Sequence, residues 1–317
     1  MSNPAQTYFR TTLLVLFVLL GASMSQHIAA LAYDRDFELS HCGPRYGSNH
    51  DLWKSATLWD TELCIDAYIK RERFFSVNSR DVLEMSLLDK AASYNPTPAV
   101  ITYVIGRGGD VNSTDNSGRT PLHFAAANNN APAIITTLVN AGANVNALDR
   151  NGDAPLHNAA KENSTPGVIA ALVAAGADVN ALNRDGNTPL HIAANENTTP
   201  GIITALVAAG ADLSAKGPFD LTPLGSAAAF GKTPAIFTAL VAAGADVNTS
   251  GRSNGTPLLI AAVNATAPGI ITALLAAGAD VNARDAYGKR AIDLAKENEA
   301  LAGSNAYRQL RDASNQN

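Results

Sequence analysis

Three histidines at one spacing are the side chains best placed to do chemistry. His123, His157 and His191 recur every thirty-four residues, and an imidazole can serve as acid, base or zinc ligand. Shared zinc ligation would require ring nitrogens within roughly 4 Å of one another, because Zn–N bonds are only about 2.0–2.1 Å long. Residues related by the repeat belong to neighbouring packed helices, about 8–10 Å apart. The row is therefore too open to hold one ion and reads as a structural column. A second group is His41, Cys42, His50 and Cys64, which could form a disulfide, a zinc set or a Cys–His nucleophilic pair. The close C-x-x-C and H-x3-H spacings of zinc sites are missing. A Cys42–Cys64 disulfide is the first expectation for an exported chain with two cysteines, and closing that loop would be worth roughly 3 kcal/mol. The chain has no G-x-x-x-x-G-K or H-E-x-x-H motif. Asp149, Asp178 and Asp285 fall in turns, where a carboxylate bonds nearby N–H groups. No catalytic constellation emerges and no cofactor is expected.

The elements that position the histidines follow from the same period. Gly108, Gly142, Gly176, Gly210, Gly244 and Gly278 are equally spaced, and Thr120, Thr188, Thr222 and Thr256 each open a T-P-L phrase in register with them. Thr-Pro starts a helix, with Thr supplying a capping oxygen and Pro suited to the first helical position. Leu190, Ala193 and Ala194 then make a short apolar stripe. Asn197, like Asn95, Asn129, Asn163 and Gly231 in its slot, is expected to close that helix in a left-handed conformation. A second helix starts at Pro200, buries Ile202, Ile203, Leu206 and Val207 on one face, and ends at Gly210. Helices this short are marginal alone in water, so stability must come from stacking.

The motif Asp115-Asn116-Ser117-Gly118-Arg119-Thr120-Pro121-Leu122-His123 and the closing Ala175-Gly176-Ala177-Asp178-Val179-Asn180 resemble the ankyrin repeat, with one extra residue between the helices. The resemblance implies an all-α solenoid of helix–turn–helix repeats with β-turn fingers, topped by a small helical N-terminal cap. Seven units cover 81–317, at 81–112, 113–146, 147–180, 181–214, 215–248, 249–282 and 283–317. It also implies a concave face of finger tips and first helices that contacts a protein partner. On that face Arg150, Arg184, Arg252 and Tyr287 are candidate contacts. The fifth unit adds Phe219, Leu221 and Phe230, where Asp220 replaces the turn glycine and Gly225 the histidine. The competing expectation is that Phe219 folds inward to fill the space left by Gly225.

Before the array, the apolar run Thr11–Leu20 and the small residues after it read as a signal peptide over 1–25, with cleavage as late as residue 32 as the alternative. An uncleaved anchor over 11–25 is the other reading, and the only one that involves a membrane. Residues 33–80 hold both tryptophans and form an aromatic cap segment. Net charge is −5 and the charges are dispersed, so no basic stripe is present for nucleic acid. The expected function is non-enzymatic recognition of a protein, with no small-molecule substrate, by a periplasmic or secreted chain that occludes or protects its partner. A secreted effector engaging host proteins is the alternative, and an enzyme built on the Cys/His segment is a third reading.

Overall fold

The computed structural model describes residues 77–78, 80, 85–231, 233–252, 255–264 and 267–315. The 1–25 segment, the cap segment up to residue 76, and Cys42 and Cys64 lie outside the described residues. Helices come in pairs: α1 Leu87–Tyr94 and α2 Pro98–Gly106, α3 Pro121–Asn128 and α4 Pro132–Asn140, α5 Pro155–Glu162 and α6 Pro166–Ala174, α7 Pro189–Glu196 and α8 Pro200–Ala208. They continue with α9 Pro223–Phe230 and α10 Pro234–Ala242, α11 Pro257–Asn264 and α12 Gly269–Ala276, then α13 Ala291–Ala295 and α14 Asn305–Asn315. Each first helix packs on the next first helix, and each second helix on the next second helix. Leu156, Ala159 and Ala160 on α5, with Val168, Ile169 and Leu172 on α6, are representative of one apolar core continuous along the stack. Burying a Leu or Ile side chain fully contributes about 1.5–3 kcal/mol, which is what helices of eight or nine residues need. Gly176, at φ 93°, ends α6 in a backbone conformation that a Cβ would strain.

The asparagine slot is not left-handed. Asn129, Asn163 and Asn197 have φ of −94°, −78° and −79° with extended ψ. Their amides explain this. Asn163 Nδ2 donates to the carbonyls of Ala126 and Asn129 in the preceding unit at 2.9 and 3.0 Å. Its Oδ1 accepts the N–H of Thr165 at 2.7 Å. Asn129 and Asn197 make the same three bonds. A buried column of amides thus stitches the units together and holds the chain extended. A second, exposed column runs along the closing loops. Asn146 Nδ2 donates to the Gly176 carbonyl at 3.0 Å, and its Oδ1 accepts from Asp178 N–H at 3.0 Å. Asn78, Asn112 and Asn180 repeat that pattern, so the chain just ahead of the first unit already joins the stack, with Val77 buried beside it.

The fingers also differ from expectation. There is no β-strand among the described residues, and β pairing is confined to an isolated antiparallel bridge between Arg284 and Arg290. The turns are closed by side chains instead. At the second unit, Asp115 Oδ1 accepts the N–H groups of Ser117 and Arg119, both at 2.8 Å. Two backbone bonds remain, Asp115 N–H to the Arg119 carbonyl at 3.0 Å and Gly118 N–H to the Asp115 carbonyl at 2.9 Å. The N–H that would form the returning rung of a ladder is thereby taken by the carboxylate, so the tips are Asx-closed turns without the paired strands expected of β-turn fingers.

Candidate partner-binding face

Each histidine is positioned at the third residue of a first helix. His123 Nδ1 accepts the N–H of Thr120 at 3.0 Å and lies 2.9 Å from Thr120 Oγ1. An Nδ1 that accepts from an N–H leaves the proton on Nε2, which donates to the Asp153 carbonyl of the next unit at 3.0 Å. His157 and His191 do the same toward Asn187 and Leu221. In the third unit Ala154 has no side-chain oxygen, and the imidazole of His157 alone caps its N–H, at 3.1 Å. Burial holds all three imidazoles below their ordinary value of 6.5, against the opposing pull of the carbonyls they bond. They are neutral structural ties, each committed on both nitrogens. Among the described residues no group of three or more His, Cys, Asp or Glu side chains could hold a metal ion.

The finger tips and the ends of the first helices carry a different population. Phe219 is 58% exposed and Phe230 57%. Tyr287, at 87%, stands free on the seventh finger. Arg150, Arg184 and Arg252 are exposed on the tips of the third, fourth and sixth. Arg252 faces Asp220 at 3.8 Å across the fifth and sixth tips, a separation at which an exposed pair contributes little. Leu221 is not part of this surface. It is 7% exposed because its side chain turns inward, against the empty flanks of Gly225 and Gly251. Leu221 therefore fills the space left by Gly225, and Phe219 stays outside. Phe219 and Phe230 do not meet in one cluster. Helix α9 separates them, and its eight residues at about 1.5 Å rise each put the two positions on the order of 10 Å apart along the helix axis.

Two leucines missing from the sequence reading complete the face. Leu148 and Leu182 are each about 60% exposed on the strands of loop that climb into the third and fourth fingers. The signal was present in the sequence: they lie two residues ahead of Arg150 and Arg184, with the buried turn heads Asp149 and Asn183 between. In extended chain, alternate residues share a side. With Val263 at the end of α11, the exposed large apolar residues of the described chain are Leu148, Leu182, Phe219, Phe230, Val263 and Tyr287. All six lie on fingers or first-helix ends, and none lies on a second helix.

Family comparison agrees with this geometry. A model for ankyrin repeats (3 copies) matches in overlapping runs, 87–183, 126–216, 158–250 and 190–285, together more than half of the chain. The chain belongs to the ankyrin-repeat family. Among solved structures, the crystal structure of the human ASB11 ankyrin repeat domain is similar to it, with a TM-score of 0.61 at 26% identity, covering 72% of this chain and 97% of that one. No curated protein matches. An ankyrin array is a scaffold of the kind that engages other proteins. Among the described residues no helix is long and apolar enough to cross a membrane.

Proposed function

We propose that this ankyrin array is exported and binds one protein across its fingers and first-helix ends, occluding or protecting that partner. The observation that carries the binding face is the segregation of exposed apolar side chains. A soluble surface tolerates scattered apolar residues, but here the large ones gather on one side, interleaved with Arg150, Arg184 and Arg252. Aromatic and arginine side chains dominate the energetics of protein interfaces. Phe219 adds a second sign. It keeps a left-handed backbone, φ 58°, which an L-residue adopts at a cost and which shows the ring to solvent. Export rests on the apolar run at Thr11–Leu20 followed by Gly21, Ala22 and Ser23.

The test is affinity capture from the envelope fraction of the producing cell, followed by mass spectrometry. It compares the wild type with Phe219→Ala/Phe230→Ala and with Leu148→Ser/Leu182→Ser. One protein held by the wild type and released by either double variant is the expected result. Equal capture by all three would move the binding surface elsewhere. Recovery of the full-length chain in the cytosol would remove the export part alone.

A further inference from the structure

Three kinds of side chain reach from one unit into its neighbour, and all three fail around the fifth. The buried amide column runs through Asn129, Asn163 and Asn197. Its next slot is Gly231, which has no side chain to offer the carbonyls of Ala194 and Asn197, and the slot after that is Ala265. An amide reaches back again at Asn298, one residue ahead of the next slot and half-buried, donating to the Ala262 and Val263 carbonyls at 3.3 and 3.1 Å. The imidazole column runs through His123, His157 and His191, then meets Gly225 and Leu259. The exposed amide column reaches Asn180, and its next member is Ser214, whose hydroxyl turns to its own neighbour Asp212 at 2.7 Å. It resumes at Asn248, which reaches the Gly278 carbonyl at 3.4 Å.

The boundaries between the second and third units, and between the third and fourth, therefore carry all three ties. Of these three kinds of tie, among the described residues, the boundary between the fourth and fifth keeps that of His191 and the boundary between the fifth and sixth keeps that of Asn248, joined there by two exposed contacts, Lys216 Nζ to the Ser250 carbonyl at 3.1 Å and the long Arg252–Asp220 pair. Two further features fall in the same place. The turn heads of the fifth and sixth fingers are Gly217 and Gly251, so neither tip has the carboxylate or amide that closes the tips of the second to fourth units, and Phe219 and Asp220 are held at φ 58° and 57°. On the outer side, an apolar groove of about 230 Å³ opens between α10 and α12, lined by Phe237, Thr238, Val241, Ala273, Ala276 and Ala277. The last boundary regains a half-buried amide in Asn298, and Thr272 Oγ1 on α12 bonds Gln309 Oε1 on α14 at 3.0 Å.

We propose that the fifth unit is a hinge: the first four units behave as one stiff body, and the array opens and bends at the boundaries on either side of the fifth. In a linear stack, stability is a sum of unit and boundary contributions, so opening occurs where the boundaries are weakest. The face described above spans this hinge, with Arg184 on the stiff side, Phe219 and Phe230 on the fifth unit, and Arg252 and Val263 beyond. Its shape is then adjustable. The hinge is a property of the free chain and stands whether or not that face binds a partner.

Native-state hydrogen exchange on the full chain reads this directly. Each missing hydrogen bond is worth on the order of a tenfold change in opening at most, so amides of α9 and α10 should exchange about 10–100-fold faster than those of α5 to α8, with a step between α8 and α9. Ser214→Asn, at an exposed position, supplies an amide for the Gly244 carbonyl and should slow α9 and α10 by about threefold to tenfold. Asn180→Ser, the mirror change, should move the step one unit back, to α7. Protection of α9 and α10 equal to that of α5 to α8 would overturn the hinge. So would a smooth decline from α14 inward with no step, or a step that neither variant moves.

Discussion

Replacing Asn163 by alanine removes two donated bonds, to Ala126 and Asn129, and one accepted from Thr165. The residue is 2% exposed, so water does not readily replace the lost amide. Hydrogen bonds of this kind contribute about 0.5–1.5 kcal/mol each, and buried groups left without partners fall at the costly end. The expected loss is about 2–4 kcal/mol, a large share of the stability of an ordinary domain. Asn163→Asp sharpens the test because it keeps the shape and the oxygen that accepts from Thr165. Its second oxygen, however, would face two carbonyls at the distances where an NH2 now donates. As a carboxylate it has nothing to give them, and burial makes the charge dearer still. At neutral pH it should therefore be worse than alanine, and it should recover part of the difference in acid, where a protonated carboxyl can donate once. Urea titration followed by far-UV circular dichroism gives both numbers, and hydrogen exchange shows whether the loss sits at the junction of the second and third units. A cost below about 0.5 kcal/mol for Asn163→Ala, or an aspartate variant more stable than the alanine one at pH 7, would refute the view that the amide column holds the units together.

Acid should loosen the array in a window set by its histidines. Their imidazoles sit below 6.5 in the fold because of burial. The unfolded chain thus takes up protons first, and stability that is complete above about pH 6.5 is lost as pH falls below it, before most carboxylates titrate near 4. A urea midpoint that stays flat between pH 7.5 and 5.5 would contradict this. Asp220→Gly restores the glycine that stands at positive φ in the second, third and fourth fingers, and should stabilise by up to about 1 kcal/mol despite losing a long exposed ion pair to Arg252. A lower melting temperature for that variant would mean the turn is not strained. Leu172→Ala empties a site of 0% exposure in α6, with an expected cost of about 2–5 kcal/mol in denaturant melts. Phe219→Ala, on a side chain 58% exposed, should change stability by less than about 0.5 kcal/mol while bearing on binding.

Much of the fold was legible in the sequence because thirty-four-residue spacing of Thr-Pro and Gly leaves few other structures. Pro121, Pro155 and Pro189 each open a helix, and backbone preference alone is enough to say so. What could not be read was the partner of each polar group. Asn129, Asn163 and Asn197 suit a left-handed cap by residue type, and only their neighbours one unit back reveal that the amide is needed as a tie. The same limit affects the fingers. Asp115 signals a turn, but whether the returning N–H bonds its carbonyl, making a ladder, or its carboxylate, making a loop, depends on ångström-scale placement. On the binding face, Phe219 and Leu221 are both apolar and two residues apart, and which one turns inward was decided by the hollow beside Gly225 and Gly251. Leu148 and Leu182 share a side with Arg150 and Arg184 by alternation, whereas residue type alone assigns a leucine to the core.

The ties of the N-terminal half run at offsets of 30, 34 and 37 residues, and their acceptors are backbone carbonyls that recur in every unit. Excising 147–180 as a block would bring Asn146 to the Gly210 carbonyl, His123 to that of Asn187 and Asn197 to those of Ala126 and Asn129, so every severed tie would find an identical acceptor. Deleting Ala170 alone would swing the rest of α6 by about 100° and carry Leu172 out of the core. For this molecule the loss of thirty-four residues is a milder injury than the loss of one: its length is free to vary, and its reading frame within the unit is not.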